Sequence, residues 1–129
     1  MKALVKEYEI FAPKTRVFEA LTQLDLMVAW SGDEVEMDLA PGGDFSLWGG
    51  SVYGVNLEIS PDRIVQKWQE ENWDKPSKVI FTLKELGEKT ILHVLHNGIP
   101  DKSFYNISLG WDEDYLKPLK SLVENMADN

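Results

Sequence analysis

Two periods of hydrophobic residues divide this chain. Between Val35 and Asn97 apolar and polar residues alternate with a period of two, the pattern of strands with one wet face. From about Lys102 the spacing changes to that of a helix. Phe104, Ile107, Trp111, Tyr115, Leu119, Leu122 and Met126 form one apolar stripe, with Asp112, Glu113, Asp114, Lys117 and Lys120 largely off it. A helix of about 25 residues is about 37 Å long at 1.5 Å per residue. Pro118 lies inside it and removes the hydrogen bond to the Asp114 carbonyl, which predicts a kink or a late start. Gly110 is a second irregularity, for which a close approach of helix backbone to sheet is the expected reason.

The preceding segments read more locally. Ala3 to Phe11 predicts a first strand ending at Ala12-Pro13. Pro13 suits the first turn of a short helix carrying Val17, Phe18 and Leu21 to about Thr22. Asp25 is the expected N-cap of a second short helix through Met27, Val28 and Trp30, closed by Ser31-Gly32. Turns are expected at Pro41-Gly42-Gly43, Gly49-Gly50, Ser60-Pro61-Asp62 and Gly87-Glu88. The strands between them place Phe45 and Leu47 on one face, Tyr53, Val55, Leu57 and Ile59 on one face, and Ile64, Gln66 and Trp68 on one face. Val79, Phe81 and Leu83 follow, then Leu92, Val94 and His96. The order is one strand, two short helices, about six further strands and a long helix, giving an α+β domain with an antiparallel meander. The last helix must cover the sheet's apolar face.

Composition narrows the function. The 129 residues suit one domain over 1–129 that buries a core without staples. The absence of cysteine excludes disulfides and thiolate metal sites and accords with a cytosolic setting. No signal-peptide pattern or membrane-length apolar run is seen. A net charge of −9 opposes phosphate backbones and anionic lipid, so neither nucleic acid nor membrane is an expected partner, whereas a protein with a basic surface is. Five tryptophans in so short a chain point to a core, a pocket or an interface.

Candidate catalytic chemistry is sparse. His93 and His96 are the only histidines, and three positions apart on a strand they face opposite ways, so they cannot share a metal. No nucleophile elbow, dinucleotide fingerprint or phosphate loop occurs. Glu70 and Glu71 read as solvated charge at a strand end, and Gly42-Gly43 and Gly49-Gly50 as turn glycines. No catalytic set, metal or cofactor is expected.

Taken together, several short pieces resemble one family. They are Ala12-Pro13 with Val17-Phe18 and Ala20-Leu21-Thr22, Trp30, Pro41-Gly42-Gly43-Asp44-Phe45-Ser46-Leu47 with Gly54, Ile64-Val65-Gln66-Lys67-Trp68 with Trp73, and Gly98-Ile99-Pro100 with Gly110-Trp111. In this order they are similar to the activator-of-heat-shock-ATPase-like domains of the START/Bet v 1-like superfamily. The resemblance implies the helix-grip fold, a curved antiparallel sheet of about six to seven strands around a long C-terminal helix, with two short helices after the first strand. Trp68, Trp73 and the Gly98 to Trp111 stretch favour the branch of activators of the ninety-kilodalton heat-shock chaperone. Since that superfamily hosts several activities, fold is implied more sharply than function.

Two functions follow as expectations. One is a non-catalytic domain binding a small hydrophobic ligand in a cavity between sheet and helix. The other is a co-chaperone-like domain that binds a chaperone or another protein with a basic surface. The apolar registers place Phe45, Tyr53, Val55, Trp68, Val94, His96, Phe104, Ile107 and Trp111 around such a cavity, either lining it or filling it at interior density.

Overall fold

A computed structural model of the chain describes residues 1–126. It consists of β1 (Lys2–Ile10), α1 (Lys14–Thr22), α2 (Leu24–Ser31), β2 (Glu36–Met37), β3 (Asp44–Leu47), β4 (Val52–Ser60), β5 (Arg63–Glu70), β6 (Ser77–Leu86), β7 (Lys89–Ile99), α3 (Phe104–Gly110), a π-helical segment (Trp111–Leu116) and α4 (Lys117–Glu124). The seven strands form one antiparallel sheet in the order β1-β7-β6-β5-β4-β3-β2. Strands β2 to β7 make the expected meander. β1 closes on β7, so α1 and α2 carry the chain from one sheet edge to the other. Both short helices pack on α4 as they cross. This is the helix-grip architecture.

The terminal helix accommodates Pro118 with a wide turn. Backbone angles stay helical through Gly110, Trp111, Leu116 and Lys117, so α3, the π segment and α4 are one continuous rod. The Lys117 N–H donates to the Asp112 carbonyl five residues back. One wide turn thus supplies the residue needed to seat Pro118 at the start of α4, where its missing donor matters least. The wide turn also sets which side chains reach the core. Trp111, Tyr115, Leu119 and Val123 are buried at a constant spacing of four, together with Leu116, while Leu122 and Met126 are only partly covered. Asp112, on the next face, accepts hydrogen bonds at 2.8 Å from both Lys6 Nζ and Tyr8 Oη and ties the rod to β1.

Three expectations are corrected. α2 begins at Leu24 without a side-chain cap, and Asp25 lies within its first turn, where its negative charge interacts favourably with the positive end of the helix dipole. Gly110 makes no close approach to the sheet. A Cβ there would meet only the Asp114 carboxylate, at 3.7 Å. The third correction concerns β4, where Val52, Gly54 and Asn56 face the helix and Tyr53 and Val55 face away, Tyr53 being 43% exposed. Gly54 lies between Phe45 and Trp68 on the flanking strands, and its missing side chain lets those rings approach to 6.4 Å. A Cβ on Gly54 would lie 1.8 Å from the Lys67 carbonyl oxygen. Asn56 is fully buried because its amide is matched on both sides, donating to the Asp38 carbonyl at 2.8 Å and accepting from Gln66 Nε2 at 2.9 Å. A bulge between Asn56 and Glu58 then returns Ile59 to the core side. Apolar alternation on the outer face had marked the wrong side, and in a strand a shift of one residue reverses every side chain.

This register makes opposite predictions for neighbouring positions. Tyr53→Lys should change stability by no more than about 0.5 kcal/mol, as exposed substitutions do. Asn56→Ala should cost about 2 kcal/mol or more, because two buried partners lose their bonds. Denaturant midpoints of the two variants check this, and equal losses would reverse the assignment.

Candidate functional site

The helix is fixed to the sheet by a run of buried polar groups. Trp111 Nε1–H donates to His96 Nδ1 at 3.0 Å. An indole N–H can only donate, so Nδ1 is unprotonated and the imidazole proton is on Nε2, which lies 2.7 Å from Ser77 Oγ. Ser77 donates in turn to the Trp68 carbonyl at 3.1 Å, and Trp68 Nε1–H donates to Gln66 Oε1 at 2.9 Å. Gln66 continues the run to Asn56 and the Asp38 carbonyl. The Trp68 and Trp111 rings stack above it, centroids 4.8 Å apart and planes within 20°. Among the described residues no enclosed side-chain polar atom lacks a partner.

Burial pushes the His96 pKa down to about 3. The unfolded value is about 6.5, so between these limits the unfolded chain takes up a proton that the folded one refuses. The contribution of neutral His96 is therefore complete above about pH 6.5 and is lost as pH falls toward 3, at up to about 1.4 kcal/mol per pH unit. For Asp112 burial acts to raise the pKa, but the bonds from Lys6 and Tyr8 outweigh it and lower the value, so its own contribution is lost only below the usual carboxylate range. Chemical denaturation of the wild type at pH 7, 6 and 5 should show the His96 slope, and His96→Gln should remove it. A wild type equally stable at pH 7 and pH 5 would contradict the buried neutral imidazole.

Beside this clamp lies a cleft of about 600 Å³, where the π segment passes over the ends of α2, β4 and β5. Its aromatic wall is Trp30, Trp48, Trp68, Trp111 and Tyr115. Trp30 meets Tyr115 at 4.5 Å between centroids and Trp48 at 6.4 Å, edge to face. Trp48 has a positive φ of 52°, a conformation that costs a bulky residue energy, and Gly49 and Gly50 continue with φ of 66° and 99°. Glu70, Glu113 and Asp114 supply the charged groups of the lining, which contains no lysine or arginine. Glu70 is partly covered, which raises its carboxyl pKa. Lys117 pairs with Glu113 at 3.5 Å.

Of the residues expected at the cavity, Trp68, Ile107 and Trp111 line the cleft. Phe45, Val94 and His96 are buried behind it as packing and support. Phe104 is partly buried near the start of the helix, with Lys2 Nζ 5.1 Å above its ring. Tyr53 and Val55 lie on the outer face. Trp73 is buried in the β5–β6 connection, its carbonyl accepting from Gln69 at 2.7 Å. Trp30, Trp48, Glu70 and Tyr115 were not anticipated. Tyr115, four residues beyond Trp111 on one stripe, and Trp48, beside a glycine pair, were the available signals. Among the described residues no group of three His, Asp or Glu side chains is placed to hold a metal, and no helix is long and apolar enough to cross a membrane.

A curved antiparallel sheet closed around a terminal helix, with a cleft where the two diverge, defines a START/Bet v 1-like domain. Residues 11–124 match the family model of the Activator of Hsp90 ATPase homolog 1-like protein, and the chain belongs to that family. An activator of 90 kDa heat shock protein ATPase homolog from Dictyostelium discoideum is 30% identical over 123 residues, 92% of this chain and 32% of that protein. The mouse (Mus musculus) homolog 2 is 23% identical over 117 residues, 88% of this chain and 35% of that protein. The chain thus spans about a third of the length of the curated relatives it matches. Among solved structures, an HSP90 activator from Plasmodium falciparum superimposes with a TM-score of 0.86 at 30% identity, over 95% of this chain and 96% of that one. CalU16 from Micromonospora echinospora gives 0.83 at 26% identity, over 95% of this chain and 76% of that one.

Proposed function

We propose that this domain is a non-catalytic binding domain of co-chaperone type, whose partner is a chaperone of the ninety-kilodalton heat-shock class. One observation carries this reading: the solved chain described as an HSP90 activator is matched over 96% of its own length, so a domain of this size and shape is the whole of that chain. The acidic balance of −9 supports a partner with a basic face, and a chain without cysteine accords with a cytosolic setting. The buried His96 is consumed by structural hydrogen bonds, which leaves it unsuited to proton transfer.

The reading is tested by titrating the domain into a purified ninety-kilodalton chaperone, with calorimetry for binding and phosphate release for ATP turnover. Saturable binding and faster turnover are expected, with affinity falling as salt rises from about 50 to about 500 mM, because exposed charges would steer the encounter. No heat and no change in turnover at low salt would reject it.

A second reading has its own support. The cleft volume falls within the roughly 300–1,000 Å³ of small-molecule sites, and its walls are aromatic. On this reading Trp68, Ile107 and Trp111 bind a small apolar ligand between sheet and helix.

A further inference from the structure

Resting on the second reading above, we propose that the cleft selects an organic cation: a ligand with an apolar, aromatic-sized body and a protonated or quaternary nitrogen.

The walls are aromatic, and besides the Tyr115 hydroxyl their uncommitted side-chain donors among the described residues are the Trp48 indole N–H and the Asn106 amide, both uncharged. The indole N–H groups of Trp30, Trp68 and Trp111 are all committed to protein acceptors, Ala20 O at 2.8 Å, Gln66 Oε1 at 2.9 Å and His96 Nδ1 at 3.0 Å. Trp68 and Trp111 cover each other by stacking and all three rings are at most 5% exposed, so they present apolar surface without a free N–H, and the half-covered Trp48 supplies the accessible aromatic ring that can attract a cation. The charged lining is of one sign. Glu70, Glu113 and Asp114 are present and lysine and arginine are absent from it, so a carboxylate or phosphate entering the cleft meets repulsion and no compensating charge. Among the described residues, Glu70 and Asp114 have no side-chain hydrogen bond or ion pair of their own, in contrast to Glu113 with Lys117.

Tyr115 is an independent pointer to an occupant. It is 2% exposed and lines the cleft, yet its hydroxyl has no hydrogen-bond partner among the described residues. Since no sealed side-chain polar atom lacks a partner, the hydroxyl is not sealed, and the space it reaches is the cleft. Burial raises the phenol pKa, so the group remains a neutral hydroxyl able to accept from an ammonium N–H. A partly covered carboxylate, a free buried hydroxyl and an aromatic wall together describe a receptor for a cationic head on an apolar body.

Three probes with one body and different heads separate the possibilities: 4-(1-naphthyl)butylammonium, the matching neutral alcohol and the matching carboxylate. Each is titrated into the wild type by calorimetry, then into the Glu70→Gln/Asp114→Asn double variant, whose melting temperature should match the wild type because both changes are isosteric and exposed or half-exposed. The ammonium should bind at least about tenfold more tightly than the alcohol, the tenfold corresponding to about 1.4 kcal/mol. In the double variant that advantage should disappear while alcohol affinity is unchanged. Tyr115→Phe should weaken the ammonium severalfold. If the alcohol or the carboxylate binds as well as the ammonium, cation selectivity is overturned and the apolar-ligand reading stands. If none of the three binds, the ligand reading falls and the selectivity with it.

Discussion

The bond from Trp111 to His96 is the constraint on which the rest of the structure depends. It joins the terminal helix to β7, the strand next to the sheet edge, with a donor that cannot accept and an acceptor that must stay neutral. The helix is thereby fixed in rotation as well as in depth. Once Trp111 is set, Tyr115 must fall over the gap between α2 and β5, and Asp112 must fall toward Lys6 and Tyr8 on β1. A purely apolar seam of the same area would leave rotation about the helix axis less determined, since dispersion and burial are non-directional.

The same clamp shapes the wall of the cleft. Because Gln66 and His96 accept the indole N–H groups of Trp68 and Trp111, these rings give the cleft apolar surface and no free donor. Charged and polar groups of the cleft, among them Glu70, Asp114 and the Tyr115 hydroxyl, are thus set apart from this apolar wall. Trp48 completes the wall at the cost of an unfavourable backbone angle, and strain of this kind tends to persist where the surrounding structure holds a functional group in place.

Much of the architecture was legible in the chain. The switch from period two to period 3.6 located the sheet and the terminal helix, and the opposite facing of His93 and His96 followed from strand geometry alone. What escaped was local and had local causes. In β4 a glycine and an asparagine occupy the inner face, and both owe their place to partners on other strands, Phe45 and Trp68 for one and Gln66 and Asp38 for the other. Hydropathy along a single strand carries no trace of those partners. The π turn was likewise hidden, although Pro118 signalled that something must give. The cleft was anticipated through Trp68, Ile107 and Trp111, but its far wall comes from α2 and the turn after β3, segments whose approach to the helix depends on how the chain crosses the sheet.

That crossing has a kinetic consequence. The meander from β2 to β7 is built of hairpins and can form from near neighbours. β1 can take its place only at the far edge, beside β7, after a loop of roughly eighty residues has closed, as the Glu9 to Lys89 ion pair across 80 positions shows. Loop closure of that length is slow relative to hairpin formation. Folding should therefore pass through a barrier set by the docking of β1, and until then the β7 edge is unpaired and available to strands of other chains.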